Sequence, residues 1–498
     1  MVATLTRVFG VHNLALAEDV VQDAFCRALE VWKFRGVPEN PSAWLMATAK
    51  NRALDVLRRQ RTARTFAPEL GRLIESEWTL APVVEDLFAP NAIKDDLLRM
   101  MFSCCHPRLP EEGQVALILH ILCGFSVDEI ASAFVRSHAA IEKRIPRAKK
   151  VLAGSRRLFD VTAPDAFAAR LPAVHRALYL LFNEGYHGAS PDSAVRAELC
   201  REAMRLIAVL REHPLGATPA SCALSALMCL DAARLPARLD AAGNLSSLYD
   251  QDRSLWDRNL VAEGLKLLEL SATGSELSEY HVEAAIASAH STALRIEDTD
   301  WDAIVSLYDT LMTIRPSPVV ALNRAIAVAQ RDGPERGLAE IDAIEDRDRL
   351  AAYPFYAAAL GELELRRGQH AAARAHFQAA LALARNPMER RFLDGRVDAC
   401  QRGEKQRAHP QLRSSPAERA SRRTAASQIA SASFFRDDAA RPLRMRSVRV
   451  CSIGFMELFP IEGKKMSVAR SFMRSKREAS AQRDPAGRMM PVRMEDRT

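Results

Sequence analysis

Apolar residues recur at spacings of three and four along most of this chain, and that period predicts amphipathic helices. The clearest case runs from Trp44 to Arg61, WLMATAKNRALDVLRRQR, where an apolar stripe faces away from Lys, Asn, Arg and Asp residues. Positive charge increases toward its C-terminal end, which suits both the helix dipole and nucleic-acid phosphates. From Ala163 to about Cys400, helical segments follow one another without a strand signal. We therefore predict an all-α fold.

A second helix is predicted before the basic one, from Leu14 to Val31. Acidic residues lie off its apolar stripe, and a loop with Gly36 and Pro38 leads from it into the basic helix. The stripe that we expect in the core comprises Leu16, Val20, Val21, Ala24, Phe25, Ala28 and Leu29.

The segment from Ile93 to Gly154 predicts a helical bundle that ends in a helix-turn-helix; a plain bundle is the alternative. Ser126, with Glu129 three residues later, predicts a capping box that opens a helix from Val127 to Phe134. After a turn, a basic helix follows, and we expect Pro146 to kink it. Helices are expected over DDLLRMMFSCC, Glu111 to Leu122, Val127 to Phe134 and Ala139 to Leu152. Ile141, Ile145, Ala148 and Val151 should face inward, and His138, Glu142, Lys143, Arg144, Arg147, Lys149 and Lys150 outward.

Charge is divided unevenly along the chain. Residues 404–498 hold 21 basic against 10 acidic side chains, a formal balance of +11, whereas the preceding residues carry −4. Helical periodicity stops after Gly403, so we predict a disordered basic tail. It is either a non-specific nucleic-acid-binding arm or the product of a frameshift or read-through. A nucleic-acid footprint in the folded part must consist of local patches.

Other chemistry is sparse. Nine cysteines include no C-x-x-C pair, and adjacent Cys104, Cys105 and His106 have no second ligand cluster, so we predict neither a metal site nor a cofactor. No apolar run approaches about 18 residues, and MVATLTRVFG lacks an export signal. We expect a cytoplasmic protein without a membrane span.

AEDVVQDAFCRALE followed by PSAWLMATAKNRALDVLRRQR resembles region 2 of bacterial extracytoplasmic-function (ECF) sigma factors, and the helix-turn-helix resembles their region 4. The resemblance implies promoter recognition with core RNA polymerase and promoter DNA as partners, and no enzyme activity. Region 2 of the family has more helix before the segment that matches Val2. Either the natural start lies upstream of Met1 or the first helix is short.

The resemblance also assigns roles to residues. The polymerase contact would involve Asp19, Gln22, Asp23 and Phe25. The −10 promoter element would be contacted by Asn51, Asp55, Arg58, Arg59 and Arg61. The −35 element would be contacted by His138, Glu142, Lys143, Arg144 and Arg147. Trp44 is expected in the core.

The helices from 163 to 400 resemble the C-terminal extension of one subgroup of these factors. The matching stretches are YLLFNEGY, LDAARLPARLDAAGNLSSLYDQDRSLWDRNLVAEG, TDWDAIVSLYDTL and SPVVALNRAIAV. The resemblance implies regulation from within, with a protein partner or signal that the sequence does not identify. YPFYAAALGELELRRG with HAAARAHFQAALALARN resembles a tetratricopeptide (TPR) unit. We predict region 2 in 1–66, a linker in 67–92, region 4 in 93–155, a TPR-like helical extension in 163–403 and the tail in 404–498.

YDQDRSLWDR, residues 249–258, is the densest polar segment of the extension. We interpret its charged and aromatic residues as salt-bridged residues that fix helix packing; acid and base residues of a hydrolase are the alternative. The residues are Asp250, Asp252, Arg253, Trp256, Asp257 and Arg258. The chain has no paired nucleophile and base and no Gly-rich phosphate loop. A repeat-containing helix-turn-helix regulator that acts without polymerase is a further alternative to the sigma-factor hypothesis.

Overall fold

The computed structural model describes residues 1–9, 13–64, 95–153, 164–240, 243–248, 251–273 and 276–408. The predicted linker and almost all of the predicted tail lie outside these residues. The described part is all-α, as the periodicity predicts, and its only bridge between extended residues joins Leu239 and Leu245. The helices before residue 154 are α1 (Val2–Phe9), α2 (Leu14–Arg35), α3 (Pro41–Arg64), α4 (Asp96–Cys104), α5 (Glu111–Ile121), α6 (Val127–Phe134) and α7 (His138–Ala153).

Eleven further helices follow in the described part. They are α8 (Pro164–His187), α9 (Ala197–Glu212), α10 (Pro219–Ala232), α11 (Arg258–Ser271), α12 (Glu279–Thr292), α13 (Trp301–Ile314), α14 (Pro318–Asp332), α15 (Pro334–Asp342), α16 (Pro354–Arg366), α17 (His370–Ala382) and α18 (Pro387–Ala408). The last helix continues past the boundary predicted at Gly403. The chain divides into two compact units. Unit 1 comprises residues 1–189, 195–228 and 266–276, and unit 2 comprises 190–194, 229–265 and 277–498.

The first three helices of unit 1 share a small core. Small side chains let α2 and α3 approach closely, since Ala24, Ala49 and Ala53 are completely buried. Trp44 packs half-buried against Trp32, with ring centroids 5.4 Å apart. Asn40 caps α3 by accepting the Ala43 N–H at 3.0 Å.

Two residues of the stripe predicted on α2 do not face this core. Phe25 is 50% exposed and Leu29 is 78% exposed, whereas Val20 and Ala28 are buried. The prediction that Phe25 and Leu29 belong to the core is wrong because α2 meets its neighbours along a narrower line of mostly small residues.

The helix-turn-helix forms as the sequence predicts. The Glu129 N–H donates to Ser126 Oγ at 3.1 Å, and the Ser126 N–H donates to Glu129 Oε2 at 2.7 Å, so the predicted capping box is confirmed. The turn begins at Val135, whose φ of 51° lies in the left-handed region that β-branched residues seldom adopt. Helix α7 is continuous through Pro146, and the proline is exposed to solvent.

Within unit 1, α8 packs against α4, α5 and α6. The rings of Phe102 and Phe167 lie 4.4 Å apart between centroids, and Phe167 stacks on His213 at 4.7 Å. Arg170 donates to the Phe102 carbonyl at 3.3 Å, and Arg205 Nη1 lies 2.8 Å from Asp95 Oδ2. The helix-turn-helix and the first helices after it therefore share one apolar core.

In unit 2, each helix from α12 to α18 packs against the next. Helices α16 and α17 turn back on each other at Gly368, which has a φ of 72°. Gly361 lies against the Phe377 ring, where an added Cβ would meet ring carbons at about 3.0 Å. This geometry accords with a helix-pair repeat, and the TPR-like character of the extension stays a prediction.

An apolar segment from Pro219 to Ala237 is long enough and apolar enough to cross a membrane, and 72% of it is buried inside the structure. The segment is not an unbroken apolar run, because Ser, Asp and Arg residues interrupt it.

Candidate nucleic-acid interface

Helix α7 presents a polar surface on the helix-turn-helix. Ile141, Ile145 and Ala148 are buried, as predicted, and Val151 is half-buried, so the helix is held by one apolar edge. The exposed side chains begin at the N-terminal end, where a recognition helix contacts base edges. They include His138, Glu142, Lys143, Arg147 and Lys150.

Two cations predicted to be exposed on α7 are instead half-buried in ion pairs. Arg144 Nη1 lies 2.6 Å from Glu112 Oε2, and Lys149 Nζ lies 2.8 Å from Glu18 Oε1. Although burial acts to raise it, the hydrogen bond from Arg136 and the charge of Arg144 hold the pKa of Glu112 below its usual value. The prediction that Arg144 is freely exposed is therefore wrong, because its acidic partner lies on α5, 32 residues earlier in the chain.

The basic helix α3 carries the residues predicted for the −10 element. Asn51 and Asp55 are exposed on the face opposite Ala49 and Ala53. Arg58, Arg59 and Arg61 lie in α3, and their side chains are outside the described part.

The predicted polymerase-contact residues lie on α2. Asp19, Gln22 and Phe25 are exposed, and Asp23 Oδ2 accepts from Arg52 Nε of α3 at 3.1 Å. Leu29 adds an exposed apolar side chain one turn beyond Phe25. Sequence reasoning could not identify Leu29 as a surface residue, because its spacing also fits the core stripe.

The polar segment of the extension serves capping and packing. Asp252 accepts from the Ser254 N–H at 2.9 Å, and Asp257 accepts from the Asn259 N–H at 2.9 Å. Arg253 donates to the His290 and Ala293 carbonyls at 2.8 and 2.6 Å, and its guanidinium lies 4.7 Å from the ring centroid of Trp256. Arg253 and Trp256 therefore contribute to packing, through carbonyl hydrogen bonds and a cation–π contact, whereas Asp252 and Asp257 are exposed and cap local turns.

Buried thiols account for Cys104 and Cys105. Burial, reinforced by the charge of Glu18, raises the pKa of Cys104 to about 12, and burial raises that of Cys105 well above its usual value. Both are neutral at physiological pH. Among the described residues, no group of three or more His, Cys, Asp and Glu side chains could hold a metal ion.

Comparison with known families matches three consecutive parts of the chain. Residues 1–63 match Sigma-70 region 2, residues 99–152 match Sigma-70 region 4, and residues 170–272 match a family of unknown function, DUF6596. An uncharacterized protein of Rhizobium meliloti (strain 1021), R00370, is 41% identical over 392 residues, which cover 78% of this chain and 90% of the relative. No solved structure matches the chain.

Region 2 followed by region 4 defines a transcription initiation factor, and the chain belongs to the sigma-70 family. The matching region 4 is of the ECF type, and a C-terminal extension follows it, so the protein is an ECF-like sigma factor with an extension. Its role is promoter recognition, and its domains imply core RNA polymerase and promoter DNA as partners.

Proposed function

We propose that this sigma factor binds core RNA polymerase through α2, contacts the −10 element through α3 and the −35 element through α7, and is regulated by its helical extension. It acts in the cytoplasm without catalytic chemistry of its own. The observation that carries the proposal is the exposed polar face of α7, held on its other side by Ile141, Ile145 and Ala148.

On α7, His138, Glu142 and Lys143 are within reach of base edges, and Arg147 follows one turn later, where a cation meets phosphate. Arg144 is paired with Glu112, so it must break or share this ion pair in order to contact DNA. We therefore expect it to contribute less than Lys143 or Arg147.

On α2, the proposed polymerase surface combines carboxylates with exposed apolar side chains. Asp19 and Phe25 are accessible, whereas Asp23 is engaged with Arg52. An exposed aromatic residue beside charged ones is typical of a protein–protein contact. Leu29 belongs to the same proposed surface.

On α3, strand opening at the −10 element needs cations on the backbone and a pocket for an unstacked base. Asn51 and Asp55 lie on the exposed face. Arg58, Arg59 and Arg61 follow on the same helix and supply the charge.

Run-off transcription with purified core polymerase, on a library of upstream regions, tests the proposal. Replacing both Arg58 and Arg59 by Ala should lower initiation at least tenfold, because each lost phosphate contact weakens binding, and should leave core binding unchanged. Arg390 and Arg391, adjacent and exposed on α18, provide a matched double-alanine control. Equal loss of transcription and core binding would refute the assignment, and duplex binding without any transcript would favour an ordinary regulator.

A further inference from the structure

An arginine of the extension enters the capping box of the helix-turn-helix. Arg196 Nη2 lies 2.8 Å from Glu129 Oε1 and 2.6 Å from Glu184 Oε1. Glu129 belongs to α6, and Glu184 belongs to α8. Both carboxylates are buried, with side chains 9% and 6% exposed. One guanidinium therefore joins the DNA-binding motif to the first helix of the extension.

Gly185 holds the Arg196 backbone in place. The Arg196 N–H donates to the Gly185 carbonyl at 2.7 Å. A Cβ on Gly185 would lie 2.8 Å from the Arg196 carbonyl oxygen and 2.6 Å from the Cys200 nitrogen, so no larger residue fits there without displacing backbone. The segment NEGY, residues 183–186, thus supplies both a carboxylate for Arg196 and the space for its backbone.

The bridge lies in a buried environment. Burial raises the pKa of Glu184, against the opposing hydrogen bond from the Ala189 N–H and the charge of Arg196. The guanidinium also lies 5.8 Å from the ring centroid of Phe125, which is buried just before the capping box. Removing Arg196 would leave two carboxylates buried without their cation, which is costly.

The ion pair between Arg196 and Glu129 lies at the start of α6, the first helix of the helix-turn-helix, which is followed by α7. Glu129 Oε2 accepts the Ser126 N–H at 2.7 Å while its Oε1 meets Arg196. The Phe125 N–H donates to the Leu119 carbonyl at 3.0 Å, so the same turn is tied to α5, against which α7 packs. A change in the position of Arg196 would therefore move the start of α6, which precedes α7 in the helix-turn-helix.

We infer that Arg196 is a positioning residue for −35 recognition: through Glu129 and Glu184 it makes the extension a part of the helix-turn-helix and fixes the orientation of the recognition helix. The inference rests on the proposed sigma function for its promoter consequence. Its structural part is that the ion pairs of Arg196 with Glu129 and Glu184 join the extension to the helix-turn-helix. This part does not depend on polymerase or DNA.

Hydrogen exchange of the full chain, without DNA or polymerase, tests the structural part. In the Arg196→Met variant, amides of α6 and α7 should exchange roughly 100-fold faster, since a broken buried pair destabilises strongly. Arg201→Met, an exposed arginine of α9, is the matched control and should leave these amides unchanged. Unchanged exchange in Arg196→Met would overturn the inference whether or not the chain directs transcription.

Transcription from templates that differ by single base pairs in the separation of the two promoter elements tests the positioning role. Arg196→Met should broaden the range of separations that are accepted. A second variant, Arg196→Met with Glu129→Gln and Glu184→Gln, removes both uncompensated charges and keeps a side chain able to complete the capping box. It should regain thermal stability without regaining the wild-type separation profile. Recovery of that profile together with stability would reduce Arg196 to a purely structural residue and overturn the proposal.

Discussion

At the scale of single residues, the extension buries a histidine next to hydroxyl groups. His175 is 3% exposed, and its Nε2 lies 2.8 Å from Ser221 Oγ, which in turn lies 2.9 Å from Thr218 Oγ1. Burial lowers the pKa of His175 to about 4. The folded chain therefore holds this imidazole neutral at pH values where an unfolded chain would protonate it.

This difference predicts a loss of stability in acid. Because the pKa is depressed in the folded state, stability is complete above the ordinary value near 6.5 and falls as the pH drops toward 4. The contribution of His175 should decrease by about 2 kcal/mol between pH 7 and pH 5. Denaturant unfolding of His175→Gln at both pH values should show a smaller difference than the unchanged protein. His376→Gln, on α17, serves as control, and equal pH dependence in all three proteins would contradict the prediction.

Residue-level predictions from sequence succeeded where the cause is local. Ser126 and Glu129 lie three residues apart, so their mutual caps follow from spacing alone. Arg144 was placed wrongly because its partner Glu112 is distant in sequence. The role inferred for Arg196 had no sequence signal of its own, since its two partners come together only when α6 packs near α8.

At the scale of elements, the extension completes the core of region 4. Phe102 is fully buried, and Phe167 from α8 lies against it. The helix limits of α6 and the core face of α7 follow from periodicity, but this shared core does not, because an amphipathic pattern shows which face is buried and not which helix covers it. Residue 155, the predicted end of region 4, lies within unit 1.

A chain that ends at Ser155 should lose the folded state of α4 to α7. The truncation would uncover Phe102 and Phe125, and exposing two large aromatic side chains costs several kcal/mol. Thermal unfolding followed by circular dichroism should show no cooperative transition for these helices. A chain that ends at Ala232 retains α8, α9 and α10, and should keep the transition. A cooperative, native-like region 4 in the shorter chain would show that the shared core is dispensable.

At the scale of the whole molecule, regions 2 and 4 touch within unit 1. Lys149 Nζ donates to both carboxylate oxygens of Glu18, at 2.8 and 3.0 Å, and α1 packs against α4. Promoter elements near −10 and −35 are about 25 base pairs apart, or roughly 85 Å along the duplex. Contact of α3 and α7 with both elements, as proposed, would require Glu18 and Lys149 to separate, and we call the arrangement with this ion pair formed the closed form.

Charge reversal at this pair should change the balance between closed and open forms. Glu18→Lys or Lys149→Glu alone should favour the open form about fivefold, as expected for a partly exposed ion pair worth about 1 kcal/mol. Combining the two reversals should restore the closed form. Energy transfer between fluorophores on α2 and α7 measures the distance between these two helices. The chain is measured without promoter DNA or polymerase, so the substitutions at Glu18 and Lys149 cannot act through either partner. Failure of the double reversal to restore the distance would mean that the ion pair does not hold the regions together.

The bridge from Arg196 to Glu129 also bears on chimeric transcription factors. A promoter preference is often moved between regulators by exchanging a recognition module at a gene-fusion junction. In this protein a junction just after α7 would separate Glu129 from its guanidinium partner and Phe102 from the Phe167 ring of α8. The transferable cassette therefore runs from α4 through α10, and a synthetic library built from it must vary the α7 surface while keeping Glu129, Glu184 and Arg196 together.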